Sequence, residues 1–197
     1  MQFEIEFKAD HLDRMMEAVR REIASPQEML GSMGESLLRV NRDRHDKGLA
    51  PDGTPWKPLS PLTLGSAVWK RQDESFRKSK SMSIKTANKV RTSRGGVLKD
   101  TGAMLQAFHY QVAQNTLTLG FDGAFEAKKA IWHHFGTDPY PISPKHKAVL
   151  AFAGIVAKRV NHPGLSARPL VGFPASDQTL VANVTADHLI RVLKSVR

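Results

Sequence analysis

The 197-residue chain contains no cysteine, which excludes disulfides and every thiolate-ligated metal centre. That absence fits synthesis in a reducing cytoplasm. No run approaches the roughly 18 apolar residues that a membrane helix needs. The opening MQFEIEFKAD alternates apolar and charged side chains, so it lacks the basic start and apolar run of a signal peptide. Acidic residues are scarce. The 19 Asp and Glu against 29 Lys and Arg leave a formal charge of +10, a surplus that favours contact with polyanions or acidic protein surfaces. Catalytic signatures are also missing: there is no G-x-S-x-G elbow, and GGVLKDTG has glycines and a lysine without the order of a phosphate loop. No zinc finger, basic zipper or RNP motif occurs, and no internal repeat. What remains is a soluble, basic chain whose hydrophobic content of 41% supplies an ordinary core.

Periodicity predicts the elements. Residues 2 to 7 alternate, with Phe3, Ile5 and Phe7 on one face, as in a half-buried strand. From Asp10 the spacing of Leu12, Met15, Met16, Val19 and Ile23 is that of an amphipathic helix. Ser25-Pro26 reads as the start of a second helix through Met29, Leu30, Met33, Leu37 and Leu38 toward His45, with Gly48 as its stop. LAPDGTPWKPLSPLT (49–63) is a proline-rich loop or arm in which Trp56 anchors to an apolar surface. Asp100 or Thr101 caps a short helix carrying Met104, Leu105 and Phe108. FHYQVAQNTLTLGF predicts two strands about a Gln-Asn turn. AFEAKKAIWHHF predicts a short helix, KAVLAFAG and IVAKRVNHPG a strand pair, and the residues after Pro174 a closing helix of about five turns. The expected fold class is α+β: a small, mostly antiparallel sheet packed by helices on one side, a long basic insertion and a C-terminal helix. Residues 1–197 read as one domain, with 49–99 as its Pro-rich and basic arm.

The stretch IWHHFGTDPYPISPKHK holds three of the eight histidines and is the natural place to look for a metal or acid–base centre. Adjacent His133 and His134 point about 100° apart on a helix, whereas helical zinc ligands stand at i and i+4. His146 and His162 could join one of them in space, but no carboxylate stands at HExxH spacing. In the plainer alternative one histidine packs and the other hydrogen-bonds near the Gly136 turn. Asp100 and Asp138 are explained as a cap and a turn former. No catalytic residue, metal ligand or cofactor is expected, and the chain is not read as an enzyme.

Between residues 66 and 99, ten Lys and Arg face only Asp73 and Glu74. A solvated, mobile arm is one reading of such a run, and contact with nucleic acid is the other. Aromatics are not interleaved regularly, so any contact would run through phosphates without reading bases. Lys70, Arg71, Arg77, Lys78, Lys80, Lys85, Lys89, Arg91 and Arg94 are the candidates for facing DNA or an acidic partner. Arg168, in NHPGLSARPLVGF, reads either as an exposed arginine anchoring an interface or as a tie between its loop and the C-terminal helix.

PDGTPWKPLSPLT, a lysine-rich stretch, LKDTGAMLQAF, IWHHFGT and HPGLSARPLVGF occur in an order that resembles the phage virion morphogenesis family over roughly residues 30 to 195. These are tail-completion and neck proteins of Mu-like and related tailed bacteriophages. The matching positions are Asp52, Gly53 and Trp56, then Thr101 and Gly102, then His134, Gly136 and Thr137, then Arg168 and Pro169. The histidine before Phe-Gly-Thr is doubled here, and the basic insertion is long. The resemblance implies a structural virion protein at the head–tail junction, made in the bacterial cytoplasm and part of a homo-oligomeric ring, expected to be a hexamer, that passes phage DNA. Implied partners are further copies of itself and portal, adaptor, tail-tube or terminator proteins. Non-specific contact with DNA fits; a membrane does not. The matched residues then become interface candidates, since a ring closed by cyclic symmetry needs two unlike faces on each subunit. The rival readings are a non-specific DNA-binding packaging accessory and a histidine-metal hydrolase.

Overall fold

A computed structural model describes residues 9–59, 97–99, 101–146, 148–152 and 155–196. The expected strand at 2–7 and nearly all of the basic segment lie outside the described residues. In chain order the elements are α1 (Asp10–Ala24), α2 (Gln27–Lys47), α3 (Ala103–Gln106), β1 (Phe108–Ala113), β2 (Thr116–Phe121), α4 (Ala124–Phe135), β3 (Tyr140–Ile142), β4 (Leu150–Phe152), β5 (Ile155–Ala157), β6 (Val160–His162) and α5 (Ala175–Ser195). The class is α+β, with antiparallel strand pairs and a C-terminal helix.

Among the described residues the strands do not merge into one sheet. They form separate two-stranded ladders, β1–β2, β3–β6 and β4–β5. β1 and β2 flank a Gln114-Asn115 turn whose Gln114 takes a positive φ of 52°, as hairpin twist requires. β4 and β5 pair as KAVLAFAG and IVAKRVNHPG predict, with Ala151 opposite Val156. The β3–β6 pairing, with Tyr140 opposite His162, was not anticipated. Proline limits the β3–β6 ladder: Pro141 sits inside β3 without an N–H to donate, and Pro163 follows β6 directly.

The chain falls into two compact units. The first takes residues 1–40, 109–120 and 173–197. Within it Met33, Leu37 and Leu38 of α2 are buried, as are Ala18 of α1 and His188 of α5. Gly34 lies so close to the Tyr110 ring that even a methyl group there would collide with it. α1 packs on α5, and His188 Nε2 stands 2.7 Å from the Glu22 carboxylate across that contact. The burial on α1 differs from its apolar pattern. Ala18 is covered, while Leu12, Met16 and Ile23 stay in solvent.

The second unit comprises residues 41–108 and 121–172, and it holds most of the motif residues. Its core is Ala50, Trp56, Met104, Ala130 and Leu170, with Val97, Leu98, Phe121 and Val171 packed around it. Trp56 is thus the anchor of the proline-rich loop, as its sequence setting suggests. α3 is a single turn, shorter than expected. Phe108 leaves it to begin β1 and packs on Phe121 at 5.0 Å between ring centroids.

Candidate interface site

α4 has two unlike sides. Toward the core it offers Ala130, which is buried, with His133 and His134 partly covered. Toward solvent it offers Phe125 at 68%, Ile131 at 56%, Trp132 at 42% and Phe135 at 74% exposure. Phe125, Lys128, Trp132 and Phe135 follow the i, i+3, i+7, i+10 spacing of one helical stripe, and Ile131 adjoins it. Lys128 Nζ lies 5.2 Å from the Trp132 ring centroid, and Lys129 Nζ lies 4.7 Å from that of Phe125. Such cation–π contacts draw the lysines over the rings and leave an aromatic, positively charged surface. Lys129 also pairs with Glu126 at 2.5 Å.

The C-terminal end of α4 is clasped by the loop 164–171. Thr137 and Leu165 form an isolated antiparallel bridge, with Thr137 N–H donating to Leu165 O at 3.0 Å and Leu165 N–H returning to Thr137 O at 3.2 Å. The Thr137 hydroxyl accepts from the same Leu165 N–H at 2.9 Å. Gly136 (φ 78°) and Gly164 (φ 83°) flank this bridge, one on each strand. Arg168 N–H donates to His133 O at 2.7 Å, satisfying a carbonyl that the end of a helix leaves without an intrahelical donor. Leu170 N–H donates to His134 Nδ1 at 3.2 Å, which places the proton of the neutral ring on Nε2.

Arg168 is buried, only 5% exposed, and not the exposed anchor that its sequence setting allowed. Its guanidinium donates to the carbonyls of Lys57 at 2.9 Å, Pro58 at 3.1 Å and Ser166 at 3.4 Å. It therefore ties its loop to the proline-rich loop. Burial lowers its pKa, yet a guanidinium keeps its proton, so carbonyl dipoles replace the water that it has lost. Beside it, Trp56 Nε1–H donates to Pro169 O at 3.0 Å.

The structure thus brings Trp56, His134, Gly136, Thr137, Arg168 and Pro169 into one clasp behind α4. Asp52 and Gly53 turn the chain into it: Asp52 Oδ1 accepts from Thr54 N–H at 2.9 Å, and Gly53 holds a φ of 85°. The Thr54 amide, followed by its side chain, holds the Asp52 carboxyl below its ordinary pKa. Thr101 Oγ1 accepts from Ala103 N–H at 3.3 Å at the start of α3. Gly102 there takes a φ of 79°, and α3 packs on α4. Lys70, Arg71, Arg77, Lys78, Lys80, Lys85, Lys89, Arg91 and Arg94 lie outside the described residues. The carbonyls of Lys57, Pro58 and His133 escaped sequence reasoning, because a backbone acceptor has no residue signature.

His45 is buried and His133 and His134 are partly covered. Among the described residues the buried His133 Nδ1 meets no hydrogen-bond partner, and burial, then Arg168 and Lys129, hold its pKa below 6.5. His45 lies edge-on to Trp56 at 5.2 Å, and among the described residues neither of its ring nitrogens meets a partner. Burial chiefly, then Lys99, lower its pKa, with Asp46 opposing them. Among the described residues no three His, Asp or Glu cluster as metal ligands would. A depressed histidine contributes stability that is complete above its unfolded pKa, 6.5 here, and lost as pH falls through its folded value. Stability is therefore expected to drop on acidification below about pH 6.5. His45→Leu, of similar volume, should flatten part of that drop and change stability by less than about 1.5 kcal/mol at pH 8. Denaturant midpoints at pH 8 and pH 5 measure both effects.

Residues 7–190 match the phage virion morphogenesis family. The chain belongs to that family. Its role is accordingly in the structure or assembly of a phage virion. No curated protein and no solved structure matches the chain. Among the described residues no helix is long and apolar enough to cross a membrane.

Proposed function

We propose that this family member is a structural protein of the head–tail junction, a neck or tail-completion component, and that copies of it form part of a ring through which phage DNA passes. The observation that carries the reading is the solvent-facing stripe of α4. Aromatic side chains on a rigid, clasped helix are what interface centres are made of, and an exposed apolar patch of this kind marks a contact surface. A ring requires each copy to present a face unlike the one it receives. The α4 stripe, aromatic and cationic, would be one such face.

The charge of the chain, +10, favours a second reading as a non-specific DNA-binding accessory. The two differ in what DNA should feel. Duplex DNA carries one charge per about 1.7 Å, so a strongly basic bore would retain it rather than let it run. A ring component should bind DNA weakly as a free subunit. An accessory should bind tightly, with a steep salt dependence.

Phage deleted for the protein should accumulate heads and tails that are made but unjoined, visible by electron microscopy. Complementation with the wild-type chain should restore joining. Complementation with Trp132→Ala/Phe135→Ser should not, because each lost aromatic anchor costs on the order of 2 kcal/mol of interface energy. The same variant should keep the wild-type unfolding midpoint, since both side chains are exposed. Normal infectious particles without the protein would refute the reading. A tight gel shift by the free chain would favour the accessory.

A further inference from the structure

α1 turns Ala18 and Glu22 to its own unit and leaves a second apolar face open. Leu12, Met16 and Ile23 are 50%, 62% and 61% exposed, and half-buried Val19 lies between them. Their spacing of four, three and four residues is that of alternating d and a positions in a coiled coil. We propose that α1 is a dimerisation helix, whose open stripe packs antiparallel against the same stripe of a second copy.

The apolar stripe is self-complementary in either direction, and charge selects between the two. An antiparallel partner sets Leu12 against Ile23 of the second copy and Met16 against its Val19. Asp13 and Arg20 lie seven residues apart on the same flank of the stripe. Antiparallel packing brings Asp13 beside Arg20 of the second copy, and two-fold symmetry makes that pair twice. In a parallel pair the flanks that carry Asp13 and Arg20 fall on opposite sides of the seam, so neither ion pair forms. Arg20 is loosely held: its 3.8 Å contact with Glu17 is between side chains 83% and 56% exposed, and such pairs contribute little. Glu22, on the other flank, is held by His188 at 2.7 Å.

Seams of this length fall below the roughly 1,200 Å² of a lasting interface, so the dimer is reversible and concentration-dependent. The residues involved differ from those of α4, and the inference does not depend on the ring reading.

The absence of native cysteine makes the test clean. Full-length Leu12→Cys and Ile23→Cys chains, mixed and mildly oxidised, should give the mixed disulfide dimer in preference to either self-dimer. Self-dimers in preference, or no cross-link at concentrations where the wild type sediments as a dimer, would overturn the proposal. So would a wild type that sediments as a monomer at every concentration. Asp13→Arg and Arg20→Asp should each weaken dimerisation about tenfold, and the double exchange should restore it, with circular dichroism confirming the fold of each. Equal dimerisation by all four chains would also overturn it. Rings that form through Trp132 and Phe135 while α1 stays uncross-linked would remove this inference and leave the ring reading standing.

Discussion

Arg168→Ala is expected to destabilise the unit built from residues 41–108 and 121–172 by about 3–5 kcal/mol, the size of the loss when one member of a buried charge-bearing network is removed. The guanidinium reaches three backbone carbonyls, those of Lys57, Pro58 and Ser166. Hydrogen bonds to a charged donor contribute roughly 1.5–3 kcal/mol each, and truncation strands the acceptors behind a protein surface. Because the unit is one of two, chemical unfolding of the variant should separate into two transitions, the earlier one belonging to this unit. A single transition at the wild-type midpoint would show that the guanidinium is dispensable.

Arg168→Lys sharpens the same expectation. Lysine keeps the positive charge but offers one compact ammonium where arginine offers a planar fork. Nε and Nη2 of Arg168 serve adjacent carbonyls, Lys57 and Pro58, at 2.9 and 3.1 Å, and a single ammonium cannot reproduce that spread. A loss of about 1–2 kcal/mol is expected, between alanine and wild type. The intermediate value separates geometry from charge. If lysine matched arginine, charge alone would suffice. If lysine matched alanine, the fork would carry the whole effect.

The readability of this chain follows the range of its interactions. α2, α4, α5 and the β1–β2 hairpin were legible, because helical spacing, a Pro or Gly boundary and a two-residue turn are local signals. Trp56 was legible as an anchor from its proline-rich surroundings. The β3–β6 pairing was not, since it joins two three-residue strands either side of the β4–β5 ladder. Nor was the open face of α1. Its apolar pattern was clear, but which side of the helix meets α5 depends on a tertiary contact that periodicity does not encode. Arg168 shows the limit most plainly. Its place in a motif could be recognised, whereas its burial depends on carbonyls more than a hundred positions away in sequence.

Gly164→Ala is expected to be the other severe substitution, and its cause joins two of the motifs. In HPGLSARP and HFGT the glycines are reciprocal. A Cβ on Gly164 would fall on the Thr137 carbonyl oxygen and within 3.0 Å of Asp138 O, and one on Gly136 would stand 2.5 Å from Leu165 O. Both residues also hold a positive φ, 83° and 78°, which costs an L-residue roughly 1–2 kcal/mol before any collision. The obstruction is backbone, which cannot rotate aside as a side chain can. Relief therefore has to come from opening the Thr137–Leu165 bridge, with its two hydrogen bonds of 3.0 and 3.2 Å. A total loss of about 3–5 kcal/mol follows. Opening that bridge releases the clasp on His133 and His134 and so the end of α4 itself. Amide exchange at Thr137 and Leu165, slow in the wild type, should become fast in Gly164→Ala, and the contact proposed for the α4 surface should weaken although Phe125, Trp132 and Phe135 are untouched. Slow exchange in that variant would mean that the bridge does not position the helix.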